Sequence, residues 1–145
     1  MKAGRAILAG AVGTAVMTML MLAAPLMGMP KMAIGEMLGS FLGIGSALGW
    51  AMHAMIGLVL AGIYALGFAE RVPGAPAVRG AVYGFLVFLV AQLVIMPMMG
   101  AGVFSGGNIP MIMGSLLGHL AYGGVVGATY SLRAGAPTAA LAASR

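Results

Sequence analysis

The sequence has no cysteine, only two acidic residues and few charged side chains of any kind in its 145 residues. The absence of cysteine excludes disulfides, thiolate metal sites and cysteine nucleophiles. Glu36 and Glu70 are too few carboxylates for paired-carboxylate hydrolysis or for a carboxylate-built metal centre. Because no set of nucleophile, base and acid can be assembled, we do not expect an enzyme.

The low charge content also excludes an ordinary soluble domain. Charged residues make up 6% of the chain and apolar residues 62%, whereas soluble domains average about 25% and 45–50%. The net charge of +5 comes from basic residues scattered singly beside apolar stretches. That pattern is typical of membrane topology signals and not of a nucleic-acid-binding face. The lipid bilayer is therefore the expected partner, and no nucleic acid is expected.

Four stretches are long and apolar enough to cross a bilayer as helices, which needs about 20 residues each. We predict an all-α membrane fold with four transmembrane helices in a single domain, residues 1–133. The spans are Ala6 to Ala24 (continuing to Met29), Leu48 to Ala69, Val78 to Met99, and Ile109 to Leu132.

Two segments fall outside these spans. The glycine-rich stretch Met32 to Gly49 contains Glu36 and is too short for a fifth span, so we expect a short interfacial or re-entrant segment. The alanine-rich end, residues 134–145, is expected to be a mobile cytoplasmic tail.

The basic residues predict the orientation. With four spans, six of the seven basic residues lie on the same side as both termini, and only Lys31 lies on the other side. The positive-inside rule then places both termini in the cytoplasm of a multi-pass protein of the bacterial inner membrane.

The second and fourth spans share a pattern of histidine, glycine four residues later and tyrosine eleven residues later, at a constant offset of 66 residues. The pattern predicts two parallel helical-hairpin repeats, about 4–69 and 78–132, with a pseudo-twofold axis along the membrane normal. The residues are His53, Gly57 and Tyr64 in the second span, and His119, Gly123 and Tyr130 in the fourth.

The paired histidines are the best candidates for a functional site, because an ionisable residue inside a span is a functional hypothesis by default. In each span the small residues, histidine and tyrosine share one helical stripe, which would leave room for a planar cofactor. His53 and His119 could ligate one haem b iron near the outer leaflet, with Gly57 and Gly123 making room and Tyr64 and Tyr130 on the same face. Electron transfer or sensing would follow.

Other interpretations remain open. The histidines could simply hydrogen-bond across helices in an accessory or scaffold subunit without cofactor, within a homo-oligomer or a larger membrane complex. They could also line the path of a small transporter or channel. We expect the polar side chains of Thr14, Thr18 and Gln92 to bond neighbouring helices or their own backbone.

Methionine is abundant, with 15 residues that lie mainly towards the predicted outer side. Soft thioethers combined with imidazoles suit Cu(I). A copper site would use His53, His119, Met52 and Met55. The alternative interpretation is that methionine fills irregular gaps in an apolar bundle.

The chain resembles a family of small, uncharacterised bacterial four-span membrane proteins. The resemblance covers residues 5–130 and implies an intact membrane unit, but it assigns no activity and no catalytic residue. It depends on Gly10–Thr14 with Met17, Pro25–Gly28, Gly49-Trp50 with His53 and Gly57, Pro97–Gly100, and His119 with Tyr122-Gly123.

Overall fold

The computed structural model describes residues 2–132 and is built from helices, with no strand among those residues. The predicted tail, 134–145, lies outside the described residues. Proline and glycine mark several boundaries, since proline favours the first turn of a helix and glycine ends one in a left-handed conformation. The helices are α1 (Ala3–Ala23, continued by a 3-10 turn at Ala24–Met27), α2 (Ile34–Leu42), α3 (Gly45–Gly67), α4 (Pro76–Met98) and α5 (Ile109–Ser131).

Four of these helices are long and apolar enough to cross a membrane: α1 with its 3-10 turn, α3, α4 and α5. The prediction of four helices long and apolar enough to span a membrane is therefore confirmed, with boundaries that differ by a few residues. The Met32 to Gly49 stretch contains the short helix α2. The chain reverses direction at Gly43, where α2 ends, so that α2 packs along α3.

Glycine allows the closest helix contacts. A Cβ atom added at Gly80 of α4 would lie 2.0 Å from the carbonyl oxygen of Gly123 on α5, so the two backbones touch. In the same way, a Cβ at Gly10 of α1 would lie 3.0 Å from the Cα of Leu58 on α3. These contacts build two antiparallel hairpins, α1 with α3 and α4 with α5. Small residues are the usual means of such packing in membranes.

The two hairpins join unevenly. Helix α1 packs along α5, whereas α3 and α4 make almost no backbone contact. The gap between α3 and α4 is bridged by Tyr83, whose hydroxyl donates a hydrogen bond to the carbonyl oxygen of Leu60 at 2.7 Å. An exact twofold arrangement would make the two contacts between hairpins equal, so the bundle departs from that symmetry on the α3–α4 side.

The half of the bundle that contains Ala3 and Ser131, which we call the terminal half, is filled by a tyrosine cluster. We define this cluster as Tyr64, Tyr83 and Tyr130, with ring centroids of neighbouring pairs 5.4–6.1 Å apart. Phe68 adds a further edge contact to Tyr83 at 5.1 Å. Buried alanines surround these rings, and edge-to-face contacts of this kind favour tight packing.

The other half, the distal half, is covered at its end by α2. Gly35 of α2 lies against the Trp50 ring, and a Cβ at Gly49 would lie 1.9 Å from the Gly35 carbonyl oxygen. The exposed ion pair between Lys31 and Glu36 lies at this end, with Nζ and Oε1 3.4 Å apart. Hydrogen bonding from its own backbone, together with Lys31, lowers the pKa of Glu36 below its usual value.

Candidate functional site

A cavity of about 370 Å³ lies within the distal half, between the four long helices and beneath α2. This volume falls within the range of about 300–1,000 Å³ that small-molecule sites occupy. Most of the lining is apolar, and no charged side chain lines the cavity among the residues that the structure describes. The polar lining residues are Thr14, His53, Gln92, Ser105, Ser115, His119 and Tyr122.

His119 is held in one tautomer. Its Nδ1 lies 2.7 Å from the backbone carbonyl oxygen of Ser115, and because a carbonyl can only accept, Nδ1 must carry the proton. The lone pair of Nε2 is then available, and Nε2 makes no hydrogen bond within residues 2–132. Phe88 fixes the ring from the side in an edge contact at 6.0 Å. Metal-ligating histidines commonly use this arrangement, in which one ring nitrogen donates to a carbonyl.

His53 reaches the same cavity from α3. Its Nε2 lies 3.2 Å from the hydroxyl oxygen of Thr18 on α1, and the Trp50 ring makes an edge contact at 5.9 Å. The imidazole is only 9% exposed. The sequence could not tell whether His53 and His119 face each other, and the structure places both on one cavity although α3 and α5 barely touch.

The remaining residues of the predicted stripe divide between two places. Gly57 lines the cavity and accommodates the Thr14 side chain. Gly123 instead receives the backbone of α4, so its small size serves helix packing. Tyr64 and Tyr130 belong to the tyrosine cluster and do not line the cavity.

Methionines surround the cavity, but they are not the ones that the sequence singled out. Met52 and Met55 are absent from the lining, and Met55 is 48% exposed. Within the described chain no group of three or more His, Cys, Asp or Glu side chains could hold a metal. The seven methionines that do line the cavity are Met17, Met21, Met32, Met37, Met96, Met99 and Met111.

Gln92 occupies the wall of the cavity at an irregularity in α4. Residues Ala91–Ile95 form a π-helical turn, a feature that is frequent at functional sites. The Gln92 side chain is 1% exposed, and its Oε1 accepts a hydrogen bond from the Ser105 hydroxyl at 3.0 Å. Gln92 therefore bonds a neighbouring segment, as its position in a span predicts.

Ser105 belongs to a strained turn between α4 and α5. Phe104 and Ser105 have φ values of 47° and 51°, a left-handed conformation that non-glycine residues rarely adopt. Such strain persists where the surrounding structure enforces it, and it clusters at ligand sites. Here the turn places the Ser105 hydroxyl against Gln92 on the cavity wall.

Thr14 departs from expectation. Its hydroxyl is buried, and it finds no hydrogen-bond partner within residues 2–132. The side chain is 7% exposed and lines the cavity, where the neighbouring Gly57 leaves room for it. Buried polar groups in native proteins are nearly always paired. The hydroxyl oxygen has almost no accessible surface and lies against Gly57, so it is buried in the contact between α1 and α3 beside the cavity.

Sequence reasoning did not single out Tyr122 as a site residue. This side chain is 2% exposed, closes the cavity on the terminal side, and donates a hydrogen bond to the Gly57 carbonyl oxygen at 2.6 Å. The available signal was its position, three residues after His119 and on the same face of the helix as Ser115.

The chain belongs to a family of unknown function, DUF6789, whose profile matches residues 1–141. No curated protein and no solved structure matches the chain. The function must therefore be argued from the cavity itself.

Proposed function

We propose that this protein is a non-enzymatic membrane protein that holds a small ligand or cofactor in the cavity between His53 and His119. The observation that carries the proposal is the convergence of two imidazoles from separate helices on one apolar cavity of about 370 Å³. A pocket that is mainly apolar, with a few converging polar groups, is the usual form of a small-molecule site.

Haem b is the first occupant to test. The free Nε2 of His119 and the imidazole of His53 supply the two neutral nitrogens that a bis-histidine haem needs, and such a haem would supply one-electron transfer. The fit is incomplete at the propionates, because no lysine or arginine lines the cavity within residues 2–132. The propionates would have to lie at the distal edge, where Lys31 is exposed.

The test is a reduced-minus-oxidised visible spectrum of the purified protein expressed with a haem precursor. A low-spin b-type spectrum that is lost in both His53→Ala and His119→Ala would support haem. Met55→Leu is the matched control, because Met55 is exposed outside the cavity and its replacement should leave the spectrum intact. Full haem retention in both histidine variants contradicts ligation by these residues.

Cu(I) is a second candidate, favoured by the seven methionines on the cavity wall. Two of these methionines pack on α5 beside the histidine: Met17 lies 3.5 Å from the Cβ position of Gly118, and the Sδ of Met32 lies 3.4 Å from that of Gly114. Thioether and imidazole donors suit this soft ion. Anaerobic Cu(I) titration against a competing chelator should show weaker binding in Met32→Leu and unchanged binding in Met52→Leu.

We also infer the orientation and the duplication. Among the described residues, Lys2, Arg5, Arg71 and Arg79 lie at the terminal end, and this charge supports cytoplasmic termini in the bacterial inner membrane. Reporter fusions after Lys31 and at the N-terminus should report opposite sides.

Equivalent glycine contacts support two hairpin repeats. A Cβ at Gly10 would lie 3.2 Å from the oxygen of Gly57, and a Cβ at Gly84 would lie 3.2 Å from the Cα of Gly123. Gly57 and Gly123 occupy the same position in the sequence repeat.

If the purified protein holds neither a metal nor a ligand, that result favours the accessory or scaffold role, or a transport path along the histidines.

A further inference from the structure

We propose that the natural ligand of the cavity is a neutral, lipid-soluble molecule with a carbonyl or hydroxyl head group, which enters from the bilayer between α3 and α4. This inference rests on the proposed function, because it requires that the cavity binds a ligand. It names the chemical class of that ligand and its route of entry.

The route follows from the uneven joining of the hairpins. Helices α3 and α4 make almost no backbone contact. Ile56 on α3 and Val90 and Ile95 on α4 line the cavity and are at the same time 39%, 55% and 39% exposed. The cavity is therefore open between these two helices. On the terminal side, the hydrogen bond from Tyr83 to Leu60 closes the gap.

The opening faces the hydrocarbon region. Ile56 is the midpoint of Gly45–Gly67, and Val87, which also lines the cavity, is the midpoint of Pro76–Met98. A helix of 23 residues is about as long as the hydrocarbon core is thick, so its midpoint lies near the bilayer centre. A molecule that enters here comes from the acyl chains and must be soluble in them.

The lining specifies a neutral ligand. No charged side chain lines the cavity within residues 2–132, and a charge buried without a counter-charge is strongly disfavoured at membrane depth. The uncharged groups on offer are the imidazoles, the Gln92 amide and the Ser105 hydroxyl. Together they can donate to, or accept from, a carbonyl or hydroxyl head group.

Nε2 of His119 is the most specific indication of that head group. It makes no hydrogen bond within residues 2–132, and its side chain lines the cavity. A bound hydroxyl would donate a hydrogen bond to it. The apolar remainder of the ligand would lie along the methionines and leave through the gap at Ile56 and Val90.

The experiment uses the full chain in phosphatidylcholine nanodiscs with decylubiquinone as the probe. Trp50 is the only tryptophan and its ring contacts His53, so quenching of its fluorescence reports occupancy next to the cavity. We expect saturable quenching in the wild-type protein. His119→Phe should raise the apparent Kd about fivefold, the effect of one lost hydrogen bond. The double variant Ile56→Phe, Val90→Phe should raise the apparent Kd about tenfold or more.

Val59→Phe is the matched control. Val59 is 56% exposed on α3 but does not line the cavity, so this variant should bind like the wild-type protein. Thermal unfolding of each variant in the same nanodiscs separates lost binding from lost folding. Native mass spectrometry of the protein as purified should in addition show about one neutral lipid per chain, depleted in the double variant and retained in Val59→Phe.

Two negative results have different meanings. Non-saturable quenching that is equal in all variants, with no co-purified lipid but with histidine-dependent haem or copper, overturns the lipid ligand and leaves the proposed function standing. The absence of lipid, haem and copper together overturns both.

Discussion

The terminal and distal halves of the bundle use the same four helices and nearly the same apolar composition, yet only one of them is filled. In the terminal half, the tyrosine cluster packs against buried alanines. In the distal half, methionines and two histidines surround about 370 Å³ of space. The difference shows that hydrophobicity makes the bundle, whereas side-chain shape and backbone irregularities decide where it stays open.

The irregularities of backbone and packing are concentrated in the distal half. The π-helical turn at Ala91–Ile95 and the left-handed residue Ser105 border the cavity, and the unpaired Thr14 hydroxyl lies beside it. The terminal half shows regular helices joined by glycine contacts. Natural proteins tend to depart from local rules where they bind something, and this distribution supports the distal half as the functional one.

The largest loss of stability is expected from a substitution at the closest helix contact of the terminal half. Gly123→Val would drive a side chain into the backbone of Gly80, whose carbonyl oxygen lies 2.1 Å from the Cβ position. Backbone contacts cannot relax as flexible side chains do, so we expect a loss of at least about 3 kcal/mol. Unfolding of the detergent-solubilised protein by heat or SDS measures it.

The adjacent residue provides the control for that change. A Cβ at Gly124 would meet only the Ala77 carbonyl oxygen at 3.7 Å, an ordinary contact. Gly124→Ala should therefore be tolerated and can even stabilise the helix, since alanine favours helix by up to about 1 kcal/mol over glycine. Equal destabilisation by both variants would contradict the packing described for α4 and α5.

The second prediction tests the boundary between the halves. Tyr122→Phe removes the hydrogen bond from the hydroxyl to the Gly57 carbonyl oxygen while keeping the ring in place. We expect a destabilisation of about 1 kcal/mol, the usual net value of one hydrogen bond. The same unfolding assay applies, with Tyr130→Phe as a comparison in the tyrosine cluster. A Tyr122→Phe variant as stable as the wild type would show that this bond does not contribute.

The third prediction has the opposite sign and lies inside the cavity. Thr14→Val has nearly the same shape but lacks the unpaired hydroxyl. We expect the ligand-free protein to gain up to about 1 kcal/mol in unfolding free energy, because an unsatisfied buried polar group is removed. The measurement follows delipidation, so that bound lipid does not contribute to the unfolding free energy. A loss of stability in the ligand-free state would mean that the hydroxyl has a partner.

The smallest effect is expected from Ser105→Gly, in the strained turn at the cavity wall. Ser105→Ala keeps the left-handed strain and loses the bond to Gln92, so it should cost about 1 kcal/mol. Ser105→Gly loses the same hydrogen bond but relieves backbone strain of similar free energy. The free energy of unfolding should therefore be nearly unchanged. The comparison of the two variants by thermal unfolding isolates the strain. Identical destabilisation would show that the left-handed conformation costs little.

Much of the fold could be predicted because its signals are local. Apolar stretches of sufficient length specified four spans, and Pro76 and Pro110 stand in the first turns of α4 and α5, where proline is favoured. The repeated glycines also indicated close helix contacts, although only the tertiary structure distinguished Gly57 on the cavity from Gly123 on a helix interface. The helical stripe placed Tyr64 and Tyr130 beside the histidines in projection, but a shared stripe spans more than 15 Å along a helix.

The sequence by itself determined that this is a membrane-spanning helical chain with one histidine in each of two spans, because hydropathy and helical periodicity are properties of neighbouring residues. Only the tertiary structure decided that His53 and His119 line one cavity, that seven other methionines surround it, and that α3 and α4 stand apart. Those features depend on contacts between residues far apart in the chain, where the closeness of two helices at one end dictates the space that remains at the other.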